Sequence, residues 1–179
     1  RSLSKNSKKM MKSKKSIPTP IRILGVDPGY GRIGIAIIED NNRNLRLIHS
    51  ECFETDAKTP HPERLSSIEE RIDEIINKFK PDEMATETLL WSKNVKTAIK
   101  VSEARGVILA AAAKKGVKIF EFNPNSIKLA VTGYGKSDKK QVINMVGKLL
   151  KINRKIKYDD EYDAIAIAIT GAVSRKIST

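Results

Sequence analysis

Four acids in this chain stand inside or against apolar segments, away from the solvated faces where most of its charges lie. Asp27 closes an apolar run, Glu87 comes near the end of another, and Asp160 and Asp163 open an almost wholly apolar stretch. A carboxylate held at a rigid strand end can carry chemistry that one on a loose loop cannot. Each acid also has a purely structural reading. Asp27 precedes Pro28 and Gly29, and Asp-Pro-Gly is ordinary tight-turn chemistry. Asp160 and Asp163 are three residues apart and share a helical face, where acids near a helix N-terminus act as caps and dipole partners. Spacing along the chain leaves open whether the four meet in space. If they do, like charges make the cluster costly unless cations neutralise it. Ligands that are all oxygen favour magnesium or manganese over zinc, and such ions activate water and stabilise the leaving oxygen in phosphodiester cleavage.

No other constellation competes. His49 and His61 have no ligand spacing between them and read as bystanders. Cys52 sits in an apolar strand context, which fits packing better than nucleophilic work. Glycines at 25, 29, 31 and 34 suggest a phosphate loop, but GxxxxGK[ST] is absent and the turn leads into a strand, not a helix.

The elements that must position the acids are legible from periodicity. Residues 23–38, ILGVDPGYGRIGIAII, are two β-branched runs around a Pro/Gly turn, the pattern of a hairpin. A third strand follows through Leu45, Leu47, Ile48, Cys52 and Phe53. Leu65, Ile68, Ile72, Ile75, Ile76 and Phe79 recur at helical steps and stop before Pro81. Residues 83–90 form a short strand delivering Glu87, 94–115 a helix closed by Gly116, and 117–122 another strand. A short helix over 126–131, a Gly-rich loop, a helix through Val142–Leu150 and a last helix over 159–173 complete the chain. Three strands followed by alternating helix and strand predict a single α/β domain, a mixed sheet covered by helices.

The chain has 179 residues, room for one domain with a real core. It contains 34 Lys and Arg against 21 Asp and Glu, a net charge of +13 that points to a polyanionic partner. Residues 1–20 hold seven of those cations and no acid, and they read as a disordered basic arm, an expression remnant or an organellar transit peptide. One cysteine allows no internal disulfide and fits a reducing interior, the cytoplasm or, if the arm is a transit peptide, an organelle matrix. No apolar run is long enough to span a membrane.

Five segments in order, ILGVDPG, ETLLWSKN, KTAIKVSEARG, VTGYGKSDKKQV and DDEYDAIAIAIT, resemble the RuvC family of Holliday junction resolvases over nearly everything from Ile23 to Ala172. The resemblance implies an RNase H-like fold with a five-stranded mixed sheet over 21–179. It implies a homodimer that nicks two opposed strands of a four-way DNA junction symmetrically, in homologous recombination and DNA repair. Its catalytic and metal-binding acids fall on Asp27, Glu87, Asp160 and Asp163, with two magnesium ions per subunit and manganese as a substitute. Its DNA-binding lysines fall on Lys128 and Lys139, with Lys93 in reach of the backbone. The helix carrying KTAIKVSEARG resembles the family's dimer helix. Members often place an aromatic wedge where this chain has Leu90; Trp91 follows, so either side chain is a candidate wedge. The resemblance leaves a branch-migration helicase complex open as a partner. Two other classes compete: a two-lobed ATPase with a similar early hairpin, disfavoured by length, and a non-catalytic junction binder, which has no need of all four acids.

Overall fold

The computed structural model describes residues 19–88 and 95–175. Strands β1 (Ile21–Asp27), β2 (Arg32–Asn41) and β3 (Asn44–Glu54) come first, then α1 (His61–Phe79), β4 (Glu83–Glu87), α2 (Val95–Lys114), β5 (Lys118–Phe122), α3 (Pro124–Thr132), α4 (Lys139–Leu149) and α5 (Asp159–Ser174). The five strands form one sheet in the order β3-β2-β1-β4-β5. β1, β2 and β3 are an antiparallel meander, whereas β4 lies parallel to β1 and β5 parallel to β4. This is the five-stranded, RNase H-like mixed sheet expected from the sequence.

Side-chain alternation along the strands splits the core into two layers. Leu24 and Val26 of β1, Ile33, Ile35 and Ile37 of β2 and Met84 of β4 face α1 and α2, packing with Ile68, Ile72, Ile75, Ala104, Ile108 and Ala111. Ile23 of β1, Ala36 and Ile38 of β2 and Ala85 of β4 face α3, α4 and α5. By the same two-residue period, Asp27 and Glu87 point to the α5 side. Helix α5 is buried almost throughout, from Ala164 to Ala172, which explains why its sequence is apolar all round.

Two boundaries differ from those read in the sequence. The short strand ends at Glu87, not Leu90. Helix α4 begins at Lys139, earlier than its apolar run implies, because Asp138 and Gln141 close a capping box around its first turn. Lys139 is therefore fixed on a helix and not carried by the Gly-rich loop. Among the described residues no helix is long and apolar enough to cross a membrane.

Candidate active site

Backbone register brings the four acids together. Val26 pairs with Thr86 across the parallel β1–β4 ladder, so the next positions, Asp27 and Glu87, stand side by side at the strand ends. Asp27 pairs with Gly34 across the β1–β2 hairpin, and Gly34 is where α5 lands. A Cβ built on Gly34 would lie 1.9 Å from the Asp160 carbonyl oxygen, and one on Gly25 would lie 2.3 Å from that of Ala164. Only glycine admits the helix at this distance. Two of the glycines that suggested a phosphate loop, Gly25 and Gly34, are thus the seat of α5, and they set Asp160 and Asp163 above the ends of β1 and β2.

Electrostatics records the convergence. The Asp27 carboxyl is pushed up to about 7, first by burial and then by the charges of Asp163, Glu87 and Asp160. Burial and Asp163 also raise Glu87, against the opposing pull of Lys128 and Lys139. Asp163 is raised as well, by burial, although Lys139 offsets part of this. Lys139 Nζ lies 2.5 Å from Asp159 Oδ2 and 2.9 Å from Asp163 Oδ2. Burial alone would lower the Lys139 pKa, but hydrogen bonds to these two carboxylates carry it well above the usual lysine range. Lys128 and Lys139 line a cleft of ≈ 200 Å³ together with Glu87 and Asp163.

Asp160 lies in the first turn of α5, where an acid suits the helix dipole, but neither Asp160 nor Asp163 caps the helix through its side chain. Tyr158 is the N-cap of α5, and no side-chain capping hydrogen bond is made there. Arg32 Nε lies 3.2 Å from Asp160 Oδ2, yet it is not aligned to donate, and that buried oxygen has no hydrogen-bond partner. Among the described residues no three acids, histidines or cysteines close into a ready-made cation cage. Two of the carboxylates have cationic neighbours, Lys139 at Asp163 and Arg32 at Asp160. An all-carboxylate donor set, one of its members pushed toward neutrality and another with an orphaned buried oxygen, is nonetheless chemistry that a hard divalent cation satisfies.

The bystanders take structural partners. His61 meets the Tyr30 hydroxyl at 2.8 Å and Glu103 at 3.0 Å. His49 lies 3.0 Å from Glu51 and stacks on Phe79. Cys52 has its thiol pushed up to about 11 by burial and by Asp160, which leaves it protonated and inert. Leu90, Trp91 and Lys93 lie outside the described residues, as does most of the basic arm. Three features escaped the sequence reading: Arg32 beside Asp160, the close approach at Gly25 and Gly34, and a clamp on the first turn of α5. In that clamp Arg154 bonds Glu161 and also donates to Ser50 Oγ of β3 at 2.6 Å. The alternation of β2 was signal enough for Arg32, which lies on the Gly34 face. The clamp joins residues 104 apart and had no local signal.

A sequence model of the family described as crossover junction endodeoxyribonuclease RuvC matches residues 23–171. This chain belongs to the RuvC family. RuvC of Halothermothrix orenii is 45% identical over 156 residues, 87% of this chain and 94% of that protein. RuvC of Finegoldia magna is 42% identical over 149 residues, 83% and 91% of the two chains. The structure of Thermus thermophilus RuvC in complex with Holliday junction substrate superposes with a TM-score of 0.80 at 29% identity, covering 86% of this chain and 96% of that one. RuvC membership and the RNase H-like sheet agree, and the two-lobed ATPase reading falls.

Proposed function

We propose that this chain is a divalent-cation-dependent endonuclease that resolves four-way DNA junctions as a homodimer, in recombination and repair. The observation that carries it is the convergence of Asp27, Glu87, Asp160 and Asp163, on three different elements, at one end of the sheet in a RuvC chain. Residues 21–179 form the nuclease domain and 1–20 a basic arm. Asp27, Glu87, Asp160 and Asp163 would hold two magnesium ions per subunit; manganese would substitute. Bound there, the ions supply an activated water and charge neutralisation on the leaving oxygen. The remaining work belongs to side chains. Lys139 holds Asp163 and Asp159 by charge-assisted bonds, so an incoming phosphate competes with carboxylates for its three donors. Lys128, which lines the same cleft and acts electrostatically on Glu87, gives a second phosphate contact. Lys93 extends this contact, and Leu90 or Trp91 parts the bases at the junction centre. A branch-migration helicase complex is the partner class that would deliver junctions. The cytoplasm is the expected compartment, or an organelle matrix if the arm is a transit peptide.

The test is a labelled synthetic four-way junction incubated with the protein, with magnesium or with chelator, beside a linear duplex of the same sequence. Paired nicks at symmetric positions, dependent on the metal and confined to the junction, are expected. Absence of cleavage with both magnesium and manganese, or equal cleavage of the duplex, would count against the reading.

A further inference from the structure

The phosphate contacts implied so far lie on one flank of the carboxylates. Across the sheet, Glu87 and the Lys128/Lys139 cleft occupy the β4 side, Asp27 stands at β1, and Asp160 sits over β2. A strand of DNA laid over the acids would extend past them toward β3, and that flank carries basic residues of its own beside Glu54 and Glu161.

Between Asp138 and Asp159 the chain carries Lys139, Lys140, Lys148, Lys151, Arg154, Lys155 and Lys157 and no acid. The last four lie in the connection from α4 to α5, directly ahead of Asp160. This connection is built, not loose. Lys151 adopts a φ of 50° that turns the chain out of α4, and Ile152 N–H donates to the Gly147 carbonyl at 3.0 Å. Ile156 is buried and Ile152 half-buried against the α5 core. With those two side chains inward, Lys151, Arg154, Lys155 and Lys157 are turned to solvent.

Arg154 reaches β3, donating to the Ser50 hydroxyl at 2.6 Å and bonding Glu161. At the other end of the strip Tyr158 has two cations against its ring, with Arg32 4.9 Å and Lys157 4.4 Å from its centroid. Lys151 and Lys155 make no ion pair with any described residue. Cations without a carboxylate partner attract a polyanion, and bringing one in relieves the repulsion between Arg32 and Lys157. From β4 to β3 is three strand spacings, about 14 Å, enough for one DNA strand to touch both flanks.

We propose that Lys151, Arg154, Lys155 and Lys157, with Arg32 and Tyr158, form a second phosphate-binding strip on the β2–β3 flank, opposite Lys128 and Lys139. It grips the DNA backbone on the far side of the scissile phosphate. The strip rests on the junction-nuclease reading above, which supplies the DNA.

The exposed lysines test it without disturbing the Arg154 clamp. Binding of the four-way junction is measured in chelator between 50 and 200 mM salt for wild type and for the triple variant Lys151→Ala, Lys155→Ala, Lys157→Ala. Three lost phosphate contacts should make the log–log salt slope shallower by about 2 to 3. The triple Lys→Arg variant should restore it, with melting temperatures equal throughout. Ethylation interference should show lost phosphate contacts on one side of the cut only. If the triple variant keeps the wild-type slope and affinity while Lys128→Ala lowers both, the strip is ordinary surface charge and the nuclease reading stands. Loss spread evenly over both sides of the cut also overturns it, since that is diffuse attraction. Wild-type protein that binds no junction removes both readings together.

Discussion

Asp27 is where fold and chemistry pull hardest against each other. Its carboxyl is held at about 7 by burial and three acidic neighbours, whereas in the unfolded chain it titrates near 3.9. Without metal, the folded state therefore binds the extra proton between these values, and its stability falls as pH rises from about 4 through about 7. Above that, an ionised Asp27 weighs against the fold by something on the order of a few kcal/mol. Asp27→Asn removes the group that titrates. The variant should melt higher than wild type at pH 8 in chelator, and the gap should close as pH approaches 4. Cleavage should fall by orders of magnitude at every pH with metal present, because one of the carboxylates proposed to hold the ions is gone. Junction binding should persist, since phosphate contacts by Lys and Arg dominate affinity. Glu51, held down to about 2 because hydrogen bonds from His49 and Arg71 outweigh its burial, tilts both proteins equally at acid pH. The difference between the two melting curves thus isolates Asp27. Identical curves at all pH values would show that its carboxylate is not strained.

At the scale of elements, the decisive contact is glycine against helix. Helix α5 delivers Asp160 and Asp163 only because Gly25 and Gly34 leave no Cβ beneath it. Gly34→Ala would drive a methyl into the Asp160 carbonyl, so the N-terminal turn of α5 must lift away from β2. We expect a loss of about 1 to 3 kcal/mol in stability together with a cleavage defect comparable to Asp160→Asn, a variant that should not lose stability. Thermal melting and junction cleavage on the two variants separate them; Gly34→Ala with unchanged melting and full activity would mean that α5 is not seated there. The contrast marks how far the sequence is legible. The strands, the helices and the strand-end position of Asp27 and Glu87 follow from local periodicity, which is why they were readable. That both acids share a face follows from the two-residue period once β1 and β4 are known to be parallel neighbours. The seat of α5 and the Arg154–Glu161–Ser50 clamp depend on pairings between distant segments, and no local pattern encodes them. The start of α4 does not follow from the apolar run, because a polar capping box sets it.

On the proposed reading, the whole molecule has to place two such sites on one junction. Paired, symmetric cuts require active sites related by a two-fold axis, and a single copy carries one cluster. We propose helix α2 as the surface for a second copy. One face packs on α1 and the sheet through Ala104, Ile108, Ala111 and Ala112, while Val95 and Ile99 at its N-terminal end remain 65% and 54% exposed. Exposed aliphatics on a long helix whose other face is already committed suit an isologous contact, in which each copy buries the same patch. The wild type is expected to sediment as a dimer at micromolar concentration, with the basic arm dispensable for that state. The double variant Val95→Glu, Ile99→Glu places like charges opposite one another across the axis and should shift the mass to that of a monomer. Its junction products should change from paired nicks to single ones, while melting of the monomer stays near the wild-type value because neither side chain is in the core. A wild-type protein that is monomeric at micromolar concentration and still cuts both strands in concert would rule out this assembly.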